Sequence, residues 1–192
     1  MQDGEDSSFL NPADVLEHVK VQAGMRVADF GAGAGFFTRA AARLVAGGDG
    51  GQAGVVWAVD TNTDLLVRIK NLSLVEGLPN VEIVQGDIER PGGSNLPPGR
   101  FDLVIIANTL FASDEKLQVA QEAYRVLGPH GRAVVVDWKD SFGGLGPHPD
   151  HVLTTGAARD LFEKAGFAYI EDVPAGAYHW GFVVRKKNAP AA

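Results

Sequence analysis

Apolar residues along the chain come in short runs that alternate with amphipathic stretches. Met25–Phe30, Val55–Val59, Val81–Val84, Phe101–Ala107 and Arg132–Trp138 have the length and the β-branched or aromatic content of strands. Phe101–Ala107 is apolar at almost every position, as a strand buried on both faces of a parallel sheet must be. Helical patterns lie around and between these runs. Pro12 falls in the first turn of an opening helix through Lys20, where a missing N–H costs little. Phe36–Val45 is alanine-rich, and Asp64–Leu74 carries Leu65, Ile69 and Leu72 at helical spacing. Glu115–Leu127 sets Leu117, Ala120, Tyr124 and Leu127 on one stripe, with Asp114 placed to cap its start and Gly128-Pro129 to stop it. Thr155–Ala165 is a further helix, ended by Gly166.

The last two apolar runs, Phe167–Val173 and Tyr178–Arg185, are joined only by Pro174-Ala175-Gly176-Ala177. That link is too short for a parallel crossover and predicts an antiparallel hairpin. Five β-α units closed by a hairpin predict an open, doubly wound α/β sheet.

Composition narrows the class. The chain has 192 residues, 45% of them hydrophobic and 21% charged, which suits a single soluble domain over 1–192 with an arm at 1–10 and a flexible tail at 188–192. The glycine- and proline-rich stretches at 46–54, 91–99 and 143–149 read as loops. No apolar run is long enough to span a membrane, and Met1–Ser8 is polar and acidic, unlike a signal peptide, so the expected location is cytoplasmic. The chain has no cysteine, which excludes disulfides, thiolate metal sites and a cysteine nucleophile. A net charge of −7 repels phosphate backbones and argues against a nucleic-acid partner; Arg185-Lys186-Lys187 reads as a solvated end after the last strand.

The chemistry concentrates at Asp29-Phe30-Gly31-Ala32-Gly33-Ala34-Gly35, a strand end, a tight turn and a helix start. Glycines let the backbone bend and let a ligand approach closely, and the following helix offers N–H groups to an anion. Such a turn alone also fits a dinucleotide. Three features favour S-adenosylmethionine. The spacing is Gly-x-Gly-x-Gly. Asp29 suits a methionyl amino group and would repel a pyrophosphate. A terminal hairpin is foreign to the dinucleotide plan. Asp60, ending the second strand, is placed to accept ribose hydroxyls or, alternatively, to cap the next helix.

Val27–Thr38 resembles motif I of the class I methyltransferases. Gln85-Gly86-Asp87-Ile88, Phe101–Asn108 and Tyr124–Arg132 resemble the family's later motifs, so the resemblance runs from Pro12 to Lys186. The nearest look-alikes are the small methyltransferases of ubiquinone/menaquinone type. The resemblance implies a Rossmann-like, doubly wound, seven-stranded sheet of order 3-2-1-4-5-7-6, mostly parallel. It implies S-adenosyl-L-methionine as cofactor and S-adenosyl-L-homocysteine as product. The implied cofactor residues are Asp29, Gly31, Ala32, Gly33, Gly35, Asp60, Thr61, Asp87, Ile88 and Asn108, with Asp87 at the adenine amino group. Two departures stand out. His130 occupies a turn position that is usually small or polar. Thr61-Asn62 follows Asp60 in place of an apolar adenine neighbour, which leaves Ile88 and Leu110 as candidates to cover the ring.

Methyl transfer from a sulfonium asks mainly for alignment and exclusion of water, and a general base is optional. The candidate catalytic residues are Asp137, ending the fifth strand, and His148 and His151 in the glycine- and proline-rich segment Ser141–Thr154, which could form a lid. His148 and His151 lack a third ligand, so no metal is expected. His179 reads as a packed sheet residue and His18 as solvent-facing. Phe9 and Leu10 either cap a pocket or staple the first helix. The expected acceptor is a small molecule, quinol-like or otherwise aromatic by resemblance, with a protein or RNA acceptor as alternatives. An arsenite acceptor is disfavoured without cysteine. The other readings are an NAD(P)-dependent oxidoreductase and a non-catalytic cofactor-binding scaffold. No Tyr has Lys four residues on, which argues against the short-chain oxidoreductase type.

Overall fold

A computed structural model describes residues 9–47 and 53–187. Residues 1–8 of the expected arm at 1–10, part of the loop at 46–54 and the tail at 188–192 lie outside the described residues. Seven strands form one sheet: β1 (Arg26–Phe30), β2 (Val55–Asp60), β3 (Val81–Gln85), β4 (Phe101–Ala107), β5 (Leu127–Trp138), β6 (Phe167–Asp172) and β7 (His179–Lys186). Their order is β3-β2-β1-β4-β5-β7-β6. The pairs β1/β2, β2/β3, β1/β4 and β4/β5 are parallel, and β7 runs antiparallel to both β5 and β6. This is the order and the terminal hairpin that the sequence implies.

Helices cover both faces. On one face α1 (Pro12–His18), α2 (Phe36–Val45) and α3 (Thr63–Val75) bury Leu16, Ala41 and Ile69 against Val27, Val56, Val136 and Val183. On the other, α4 (Lys116–Val126) and α5 (Thr155–Lys164) bury Val119, Ala123 and Phe162 against Phe30, Val104, Val135 and Phe182. Caps set the helix starts. The side chains of Asn11, Asn62 and Thr154 accept backbone N–H groups at the heads of α1, α3 and α5. Among the described residues, no helix is long and apolar enough to cross a membrane.

Three local expectations are corrected. Asp114 does not cap α4. The N-cap is Glu115, without a side-chain bond, and the Glu89 carboxylate accepts the N–H groups of Asp114 (3.0 Å) and Glu115 (2.9 Å). A carboxylate from a distant loop thus satisfies donors that the local sequence leaves open. The buried stripe of α4 is Val119, Ala120, Ala123 and Val126, while Leu117 stays exposed. Tyr124, also on the expected stripe, meets Phe167 of β6 edge-on at 5.2 Å. Strand β5 also begins earlier than expected, pairing Leu127 with Phe101 before an irregularity and resuming at Arg132 opposite Leu103.

Candidate functional site

The glycine turn joins β1 to α2 at the carboxyl edge of the sheet. The N–H groups of Gly31 (2.9 Å) and Ala32 (3.1 Å) both donate to the Val59 carbonyl, which ties the turn to the end of β2. Gly31 has φ +70°, and a Cβ there would stand 2.7 Å from Thr109 Oγ1. The Thr109 hydroxyl lies 3.1 Å from the carbonyl oxygens of Phe30 and Ala107, clasping β1 to β4 where the turn begins. Gly35 has φ +74°, and a Cβ there would stand 2.6 Å from Ile69 Cγ1. Only glycine meets both the backbone and the steric demand at these two points.

A groove runs on either side of this turn. The first chamber, about 400 Å³, extends from Asp29 and the turn to Phe9, Leu10, Trp138 and His179. The second, about 210 Å³, is bordered by Asp60, Thr61, Asp87 and Ile88. Gly31 and Asn108 line both. Asn108 holds the junction in a left-handed conformation, φ +53°, with its N–H donating to Val136 O at 2.9 Å. Phe9 and Leu10 line the first chamber, and Phe9 also lies 5.2 Å from the Tyr178 ring, so the segment before α1 acts as a wall of the groove.

The acids differ in how their oxygens are used. Asp29 is 2% exposed, and Thr38 Oγ1 donates to its Oδ2 at 2.5 Å. Burial pushes its carboxyl up to about 6, opposed by the hydroxyl and backbone N–H of Thr38, with the nearby Asp60 charge adding to the rise. Asp60 accepts Gly33 N–H on Oδ2 and Asn62 N–H on Oδ1, each at 2.9 Å. It does not cap α3; Asn62 does, because Asp60 is still in β2. Asp87 accepts Glu89 N–H at 3.0 Å and Arg90 Nε at 2.8 Å. Ile88 is buried and borders the second chamber, whereas Leu110 is wholly buried in the core and reaches neither chamber.

The three expected catalytic residues are not brought to the groove. His148 and His151 are exposed on a short turn after β5, their rings 6.3 Å apart and outside both chambers. His148 Nδ1 takes Asp150 N–H at 3.4 Å, so the histidine caps its own turn. Asp137 is 1% exposed but points to the α4 face of the sheet, away from the groove. Its Oδ1 accepts Trp138 N–H at 2.8 Å and its Oδ2 accepts Phe111 N–H at 3.1 Å. These bonds pin the turn Leu110–Ala112, and burial pushes the carboxyl up to about 6.

His179, expected as a packed sheet residue, is one, and it also borders the first chamber. His179 is 3% exposed and packs against Trp138, ring centroids 4.2 Å apart with the planes tilted by 40°, and neither ring nitrogen is partnered. Its only sequence signal is a polar residue opening an apolar strand. Its position opposite Trp138 follows from the β5/β7 register. Among the described residues, no cluster of three or more His, Asp or Glu could hold a metal ion.

This site can be compared with known proteins. A family model described as "Methyltransferase domain" matches residues 21–166. The ubiquinone/menaquinone biosynthesis C-methyltransferase UbiE of Hahella chejuensis is 35% identical over 119 residues, covering 62% of this chain and 45% of that protein. Its counterpart in Pseudomonas paraeruginosa is 34% identical over 131 residues, covering 68% of this chain and 48% of that protein. The chain thus spans about half the length of the curated relatives it matches. The crystal structure of a SAM dependent methyltransferase from Aquifex aeolicus superposes with a TM-score of 0.80 at 26% identity, covering 95% of this chain and 93% of that one. With the glycine turn, the acids at the ends of β1, β2 and β3, and the terminal hairpin in place, the chain belongs to the class I S-adenosylmethionine-dependent methyltransferases.

Proposed function

We propose that this chain transfers a methyl group from S-adenosylmethionine to a small-molecule acceptor bound in the first chamber. The observation that carries the reading is the junction at Gly31 and Asn108, which line both an acid-bordered chamber and an adjoining aromatic one. The donor set fits the cofactor. Asp29 keeps acceptor capacity beyond its two bonds from Thr38 and faces the first chamber, where it suits the cationic methionyl end. Asp60 stands where ribose hydroxyls would lie, and Asp87 with Ile88 would meet the adenine from its edge and face. Thr61, Ala32, Gly33, Gly35 and Asn108 shape the walls and the turn.

When bound, the cofactor supplies a methyl already activated on a sulfonium. What remains for the chain is to hold the acceptor in line with that methyl and keep water out. The apolar and aromatic side chains of Leu10, Phe37 and Trp138 serve that purpose. A dinucleotide is disfavoured, because Asp29 has no neighbouring cation in this chamber to offset a pyrophosphate. The names of the relatives from Hahella and Pseudomonas make quinol-like aromatic compounds the first acceptors to try. The net charge of −7 disfavours RNA as acceptor, and the expected setting is the cytoplasm.

Calorimetry with S-adenosylhomocysteine and with NADH tests the cofactor. Binding of the first and not the second is expected, and the reverse result defeats the reading. An acceptor screen with labelled methyl donor then tests turnover. Binding without turnover on any acceptor would favour a cofactor-binding scaffold.

A further inference from the structure

We propose that His179 positions the methyl acceptor, and that the acceptor is an uncharged, planar molecule presenting a hydroxyl to the imidazole. The proposal rests on the reading of the first chamber as a methyl-transfer site.

His179 opens β7 directly opposite Trp138 at the end of β5, and the two rings pack at a tilt with centroids 4.2 Å apart. On the same face of β7 the following positions are Gly181 and Val183, and Val136 is the neighbouring β5 residue. An apolar residue at 179 would therefore continue an apolar surface. The chain instead places an imidazole there, with both nitrogens shielded from water and neither bonded to protein. Leaving a buried donor and acceptor unmet costs stability, and nothing in the fold repays it. A ligand that enters the chamber can.

The ring borders the chamber that also holds Asp29 and Asn108. Rotation about χ2, a broad torsion for histidine, turns a nitrogen toward that space. Burial, reinforced by the charge of Lys139, pushes the imidazole down to about 4, so it is neutral near pH 7 and offers one lone pair and one N–H. A hydroxyl is the smallest group that can donate to the lone pair. The charge of the acceptor follows from the lining. Among the described residues Asp29 is the one carboxylate lining it, and no lysine or arginine side chain borders the chamber, so the protein itself offers an anion no counter-charge and Asp29 opposes it. A cation would be repelled by the sulfonium. The rings of Phe9, Phe37 and Trp138 provide flat apolar surfaces for a planar body.

The test uses the full chain, its His179→Phe and His179→Gln variants, and two probes of equal outline, naphthol and naphthalene, with S-adenosylhomocysteine saturating. The wild type is expected to bind naphthol about fivefold to tenfold more tightly than naphthalene. That ratio should fall to about one in His179→Phe and recover in part in His179→Gln, whose amide restores a polar partner. In the wild type, NMR should show the His179 ring-nitrogen resonances moving with naphthol and not with naphthalene. An unchanged ratio in His179→Phe, no hydroxyl preference in the wild type, binding of neither probe, or unmoved ring resonances overturns the proposal. If His179→Phe folds poorly, the His179→Gln ratio and the wild-type resonances decide. Affinity for S-adenosylhomocysteine is measured separately in all three proteins, so that each naphthol ratio is taken at saturation. Its absence in the wild type would defeat the methyl-transfer reading, while the naphthol ratio without cofactor would still judge His179.

Discussion

The carboxyl ends of β1 and β5 each bury an aspartate, and in both burial pushes the carboxyl up to about 6. Asp29 accepts from Thr38 alone and faces the groove. Asp137 sits on the opposite face of the sheet, where the backbone N–H groups of Trp138, Phe111 and Leu110 occupy its oxygens. The difference teaches that a perturbed carboxyl does not by itself mark a site. What separates the two is unspent hydrogen-bonding capacity directed at open space. His179, with both nitrogens unpartnered beside the chamber, shares the unspent capacity but needs a turn of its ring to direct it there, and the exposed His148 belongs with neither.

The comparison can be broken at several points. The largest effect is expected from Gly31→Val, which places a β-branched residue at φ +70° and a Cβ 2.7 Å from Thr109 Oγ1. It should weaken S-adenosylhomocysteine binding by more than about a hundredfold in calorimetry and cost about 2–4 kcal/mol in urea unfolding. Asp60→Ala removes the acceptor for Gly33 and Asn62 N–H groups as well as the proposed ribose partner. Its cofactor affinity should fall by between about tenfold and a hundredfold, the size of charge-assisted hydrogen bonds.

Protonation probes Asp29 more gently. Its folded value of about 6 lies above the ordinary 3.8, so the folded chain holds that proton more tightly than the unfolded one. The stabilising contribution of Asp29 is therefore complete below pH 3.8 and is lost as pH rises through about 6, and Asp137 adds a contribution of the same sign. Cofactor affinity should run the other way. If only the carboxylate binds the methionyl end, affinity rises about tenfold between pH 5 and pH 7. Calorimetry across that range checks this, and Asp29→Asn should bind weakly at every pH with no such slope. Asp137→Asn should leave cofactor affinity within about twofold while costing about 1–3 kcal/mol of stability, because its amide N–H₂ would confront backbone donors. The smallest effect is expected from the double change His148→Ala/His151→Ala, with turnover and affinity within about twofold of the wild type. A large loss there would return the loop after β5 to the site.

Much of the proposed cofactor half was legible in the sequence because its signals are local. A strand's period, a left-handed glycine and an acid at a strand end are properties of neighbouring residues. Asp29, Gly31, Asp60 and Asp87 could therefore be placed by counting along β-α units. The acceptor half was less legible. Asp137 and His179 look alike in sequence, each a polar residue at the end of an apolar strand, and the reading favoured Asp137, which the fold turns away from the groove, over His179, which borders it.

The sequence by itself determined the element order, the terminal hairpin and the glycine turn, because backbone dihedrals and alternating burial are set over a few residues. Only the tertiary structure decided which polar atoms remained free. The Phe111 N–H that occupies Asp137 lies 26 residues away in the chain, and the Trp138 ring beside His179 reaches it through an antiparallel register across β5 and β7. Such pairings depend on how distant elements stack and slide against one another, and no local spacing encodes them.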